Sequence, residues 1–169
     1  MAARGFAVAA FKEVTSDVTG SNVGGWRLEP LPPTVLDDLG VLLAALRSQP
    51  PEGGPFVIAC VEEEFFVIAR QEGRRIALLL SDLTAAVEFP LAEQAITRLG
   101  EDPPNDDELD EIWPVGDLEL FDDLDLGEDD MEEILDDLDA LPEEMLETII
   151  ERLELTDAFV RVAGAARVR

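Results

Sequence analysis

The run from Asp122 to Glu133 has the outline of a calcium loop. Asp122 stands first, Gly127 sixth and Glu133 twelfth, as such a loop requires. The third and fifth positions, however, are Leu124 and Leu126, which offer no side-chain oxygen. Calcium needs several converging oxygens, and the apolar period of the next helix runs straight through the end of the loop. The spacing therefore predicts an acidic helix face rather than a metal site. Carboxylate pairs elsewhere carry little information, because Asp and Glu number 39. Glycosidase-type chemistry needs two acids in a cleft on a rigid scaffold, and most acids here fall on predicted exposed faces. Glu62-Glu63-Glu64 reads as a soluble turn. Cys60 lies among Ile58, Ala59 and Val61, as an inert core residue would. The chain has no His to activate a thiol or hydroxyl, to ligate a metal or to switch with pH. A single Cys excludes an intrachain disulfide and a Cys-rich zinc site. Ser81-Asp82 reads as a helix cap, and Gly24-Gly25 and Gly53-Gly54 fit no phosphate-binding fingerprint. No catalytic, cofactor-binding or metal-binding residue is assigned, and no cofactor is expected.

Charge is the informative feature. The 169 residues carry a formal net charge of −27. Residues 1–100 hold 13 acids and 8 bases, residues 101–157 hold 26 acids and one base (Arg152), and residues 158–169 hold three Arg and no acid. Almost all the charge therefore sits in one third of the chain. Such a surface repels nucleic-acid phosphates and anionic membranes and attracts basic proteins. The expected partner is a basic protein, with no direct nucleic-acid or membrane binding. The oligomeric state is not readable. The candidate partner-binding surface is the acidic face of 106–144, with Asp129, Asp130, Glu132, Glu133, Asp136 and Asp137 at its centre. Trp113 joins the candidates. A Trp between two acidic stretches either docks the helical part onto the sheet or meets a partner. A solvated face that only confers solubility is the plain alternative. Met1 to Ala10 shows no export-like segment and no apolar run could span a bilayer, so a cytoplasmic protein is expected.

The elements that must carry these residues follow from periodicity. Phe6, Val8, Ala10 and Val14 predict a strand near 5–14. A hairpin-type loop over 15–25 leads to a short strand at 26–28. Pro32-Pro33-Thr34 opens a helix with Leu36, Leu39, Leu43 and Leu46 on one face. Three apolar runs, 56–61, 65–70 and 75–80, are joined by very short turns and predict an antiparallel meander. A helical segment over 82–99 is interrupted near Pro90. The order is β-β-α-β-β-β-α. The fold class is α+β, a mainly antiparallel five-stranded sheet, with helices on one face as the simplest solution. The expected division is a sheet domain at 1–100, an acidic Pro-containing linker at 101–116 and an acidic helical subdomain at 117–169. In the last, Met131, Ile134, Leu135 and Leu138 form one stripe. Met145, Leu146, Ile149, Ile150 and Leu153 form another, after Pro142 at a first helical position. Thr156 is expected to cap a final helix.

Four segments together resemble a known family. They are Arg75-Ile76-Ala77-Leu78-Leu79-Leu80-Ser81-Asp82 with Ala85-Ala86, then Trp113-Pro114-Val115-Gly116-Asp117-Leu118, then the acidic Leu-rich stretch through Leu138, and last Glu144-Met145-Leu146 to Leu155. The pattern is similar to the tRNA adenosine deaminase-associated proteins of actinobacteria, over nearly the whole chain and most loosely in 1–30. The resemblance implies association with a tRNA-specific adenosine deaminase and assigns no catalytic residue. The chain cannot itself be that zinc enzyme, which needs a His or Cys ligand set and a C-x-x-C pair. The resulting expectation is a non-catalytic interaction protein that binds, stabilises or regulates the deaminase. The alternatives are a nucleic-acid-mimicking decoy for a basic RNA- or DNA-binding protein and, less favoured, an enzyme of uncharacterised type.

Overall fold

The computed structural model describes residues 4–16, 22–51, 53–105, 107 and 112–167, with the backbone alone at 13–16, 22–24 and 163–167. The strands are β1 (Gly5–Ser16), β2 (Asn22–Pro30), β3 (Phe56–Val61), β4 (Phe65–Glu72), β5 (Arg75–Leu80) and β6 (Val115–Gly116). The helices are α1 (Leu39–Arg47), α2 (Pro90–Leu99), α3 (Glu128–Leu135), α4 (Pro142–Arg152) and α5 (Thr156–Arg167). The sheet is antiparallel in the order β2-β1-β3-β4-β5-β6. The α+β class and the β3–β4–β5 meander are as the sequence predicts. Five strands were expected and six are present among the described residues, because Val115 and Gly116 pair with Leu80 and Leu79. The second strand is also longer than 26–28. Of the hairpin loop proposed over 15–25, residues 15–16 and 22–25 belong to the two strands instead, and 17–21 lie outside the described residues.

The helices cover both faces of the sheet, not one. Alternation along each strand separates the two cores. Ala7, Ala9, Val57, Ala59, Val67, Ala69, Leu78 and Leu80 face α1 and α2, where Leu42, Leu46, Leu91 and Ile96 are buried. Val8, Ile58, Phe66, Ile68 and Leu79 face the acidic third, where Phe121, Met131, Leu146 and Ile149 are buried. The physical reason is legible in β3. A half-exposed antiparallel strand alternates apolar with polar, whereas Phe56–Val61 is apolar and buried throughout. Two covered faces need such a run. The acidic helices thus build the second layer over the sheet. Within the three apolar runs of the meander, Val57, Ile58, Val67, Leu78 and Leu80 are fully buried or nearly so, and Ile76 is half-buried.

Local chemistry sets the helix bounds. Asp38 caps α1, its carboxylate accepting from Val41 N. Gln94 on α2 also serves that helix start, since Leu39 N donates to its Oε1 at 2.9 Å. The segment after Ser81 splits as predicted, into a 3-10 turn over Leu83–Val87 and then α2, with Pro90 in the first turn. Asp82 caps that turn, accepting from Thr84 N at 3.0 Å. Ser81 does something else. Its buried hydroxyl accepts from Phe66 N at 2.8 Å and extends the ladder by one bond. Gly100 ends α2 at φ 74°. Thr156 is the first residue of α5 rather than a residue preceding it.

Candidate functional site

The acidic layer is anchored on one buried cation. Arg70, on β4, pairs in register with Phe56 and points into the face that the acidic third covers. Its Nε donates to Gly54 O and one terminal nitrogen to Gly53 O, both at 2.9 Å. The other terminal nitrogen donates to Leu120 O at 2.7 Å, and the two together grip both carboxylate oxygens of Asp123. All five guanidinium N–H groups are engaged. The group also lies 5.6 Å from the Phe121 ring centre. Phe121 in turn meets Phe56 edge-on, with ring centres 4.9 Å apart. This explains Gly53-Gly54, which matched no ligand motif. Both residues have positive φ, and a Cβ on Gly54 would stand 2.9 Å from the guanidinium. A polar depression of about 550 Å³ opens beside Arg70. With its donors already spent, Arg70 is a fastener of the acidic segment and offers nothing to an anion there.

Beyond this fastener the chain runs through a 3-10 turn at Asp122–Leu124 to α3. Leu126, the fifth residue of the supposed calcium loop, is fully buried, and Gly127 precedes the first turn of α3. The loop's residues are thus spent on packing and on starting a helix. Glu119 and Glu128 sit side by side. A hydrogen bond to Glu119 and then its like charge raise the Glu128 carboxyl above the ordinary range, with burial, Asp129 and Glu132 adding to the effect.

The partner-surface candidates are brought together only in part. Asp129, Glu132, Glu133, Asp136 and Asp137 are exposed on or just after α3. Asp130 is half-buried and pairs with Arg152 of α4 at 3.3 Å, so its charge is largely answered within the chain. Trp113 is elsewhere. It is half-buried and packs with the α1–α2 side of the sheet, while its carbonyl accepts from Leu83 N at 2.8 Å. It serves neither the docking of the acidic helices nor the same surface as the carboxylates. Residues 106 and 108–111 of the proposed acidic face lie outside the described residues.

Sequence reasoning missed Arg70 and misplaced Leu138. The signal for Arg70 was an Arg directly after the apolar run Phe65 to Ala69. Leu138 was expected on the buried stripe with Met131 and Leu135, yet it is 72% exposed. The helix ends at Leu135, and the Asp137 carboxylate accepts from Asp139 N at 3.1 Å, which favours a turn over another helical one. Leu141, at the other end of this turn, is 50% exposed. Between α3 and α4 runs a groove of about 260 Å³, with Ile134, Ala140 and Met145 as apolar lining and Asp130, Glu133, Asp137, Thr148 and Arg152 as polar lining.

Fold and surface together define a small α+β protein whose sheet carries a neutral helical layer on one face and a carboxylate-rich helical layer on the other. The chain belongs to the Rv3753c-like tRNA adenosine deaminase-associated protein family, whose model matches residues 6–156. It is 34% identical over 159 residues to Protein Rv3753c of Mycobacterium tuberculosis (strain ATCC 25618 / H37Rv), covering 94% of this chain and 87% of that one. No solved structure matches it. No helix among the described residues is long and apolar enough to cross a membrane.

Proposed function

We propose that this chain is a non-catalytic binding protein for a tRNA-specific adenosine deaminase, and that the outer face of α3 with the turn after it meets a basic surface of that enzyme. The observation that carries the reading is the position of the charge. Asp129, Glu132, Glu133, Asp136 and Asp137 stand exposed over little more than two helical turns, and a single base, Arg152, answers one neighbour. An enzyme that handles tRNA presents cationic surface, and a field of this sign raises the rate of encounter with it. The family description supports the choice of partner. The cytoplasm is the compartment in which the pair would meet.

The test is co-elution of the two purified proteins in size-exclusion chromatography at low salt, with and without the tRNA substrate. Binding of both proteins and tRNA in one complex supports a scaffold or regulator. Displacement by tRNA would instead make the acidic layer a nucleic-acid mimic. Separate elution of the two proteins would overturn the proposal.

A further inference from the structure

We infer that the α3–α4 turn is the contact centre of that acidic surface, a docking point for a basic amphipathic segment that brings an apolar anchor. This deepens the proposed function and rests on it. Leu138 and Leu141 are 72% and 50% exposed and only three positions apart. They adjoin Asp137 and Ala140 in sequence, both of which line the groove between the two helices. Leu138 is the most exposed large apolar side chain among the described residues, and it stands beside the exposed Asp136, Asp137 and Asp139. Apolar side chains left in water within a charged rim mark contact sites more often than scattered single ones do.

Charge selects the occupant. Arg152 pairs with Asp130, so the groove's carboxylates without a cation beside them are Glu133 and Asp137, and Asp137 adjoins Leu138 in sequence. A segment with Lys or Arg flanking an apolar residue satisfies both features at once, as helix-in-groove recognition does. A nucleic acid fails the first of these, because its phosphates are repelled by the same carboxylates. The cost of building the turn this way is visible. Both leucines forgo the burial that Met131 and Leu135 obtain.

Charge and apolar contact have separable kinetic signatures. Long-range charge acts mainly on association, and close packing on dissociation. The test uses the full chain with Leu138→Ser and Leu141→Ser, both at exposed positions, and circular dichroism to verify the fold. Binding to the purified deaminase is followed by biolayer interferometry. Losing both anchors should speed dissociation about tenfold or more, with association nearly unchanged. A control variant, Glu133→Gln with Asp137→Asn, should slow association instead. If the serine variant dissociates like the wild type while the charge variant associates slowly, this inference falls and the proposed function stands. If the wild type does not bind, both fall together.

Discussion

Arg70 and Asp123 join the two halves of the molecule. A strand residue that is 3% exposed at its side chain holds a carboxylate that is 65% exposed, across 53 positions of sequence. The cation is buried and its partner faces water, so the two ends of the bond have unequal stakes. Removing Arg70 leaves the carbonyl of Leu120 without its donor in a buried place. Removing the Asp123 charge leaves a guanidinium that still holds three carbonyls.

Arg70→Lys is therefore expected to cost about 3 kcal/mol, since an ammonium cannot reproduce the fork. Asp123→Asn should cost only about 1 kcal/mol, because solvent screens the exposed partner. Urea denaturation measures both. Equal costs for the two variants would contradict a buried fastener.

Glu128 should make stability depend on pH in a direction opposite to that of most surface acids. Its carboxyl binds a proton more tightly in the folded chain than in the unfolded one. The folded state thus holds more protons between the ordinary carboxylate value and the raised one. Stability contributed by this group is present below that window and is lost as pH rises through it. Glu128→Gln mimics the protonated form, so the variant should gain on the wild type as pH rises from about 4 to about 7. Thermal melts of the pair across that range measure the difference, and a difference that does not change with pH would refute the coupling to Glu119.

The charge on α3 is well placed at one end and badly placed at the other. Asp129 and Asp130 occupy the first turn, where the helix dipole favours anions, whereas Glu128 in the same turn is opposed by Glu119. Asp136 follows the last residue, and the last turn has no base. Glu132 and Asp136 repel at i and i+4 spacing. Asp136→Asn should stabilise the chain by about 0.5 kcal/mol and slow association with the deaminase. A variant that gains stability with no change in association would show that this carboxylate is not part of the binding surface.

Much of the fold was legible because its signals are local. The run Phe56 to Val61, the short turns and Pro90 each declare an element without reference to the rest of the chain. The two-sided covering was also written in β3, as an apolar run with no alternation, but an antiparallel meander made the one-sided sheet the simpler solution. The sixth strand was hidden because Val115-Gly116 has two residues and draws its stability from β5. Arg70 was hidden because its partners lie at 53–54 and 120–123, brought together only by the fold. The acidic surface was legible as charge density. Its apolar centre was not, since Leu138 continues the period of Met131 and Leu135 and only the end of the helix exposes it.

The central claim is that the charge on α3 serves a partner rather than solubility alone. Its most direct test is the association rate of the chain with purified tRNA adenosine deaminase as ionic strength is raised. The wild type is compared with a variant carrying Asp129→Asn, Asp130→Asn, Glu132→Gln, Glu133→Gln, Asp136→Asn and Asp137→Asn. Exposed charges are screened beyond about 8 Å at physiological salt. The wild type should associate fast at low salt and slow steeply as salt rises, while the variant should be slow at low salt and nearly insensitive to it. Identical rates for the two chains at low salt, or no binding by either, would contradict the account.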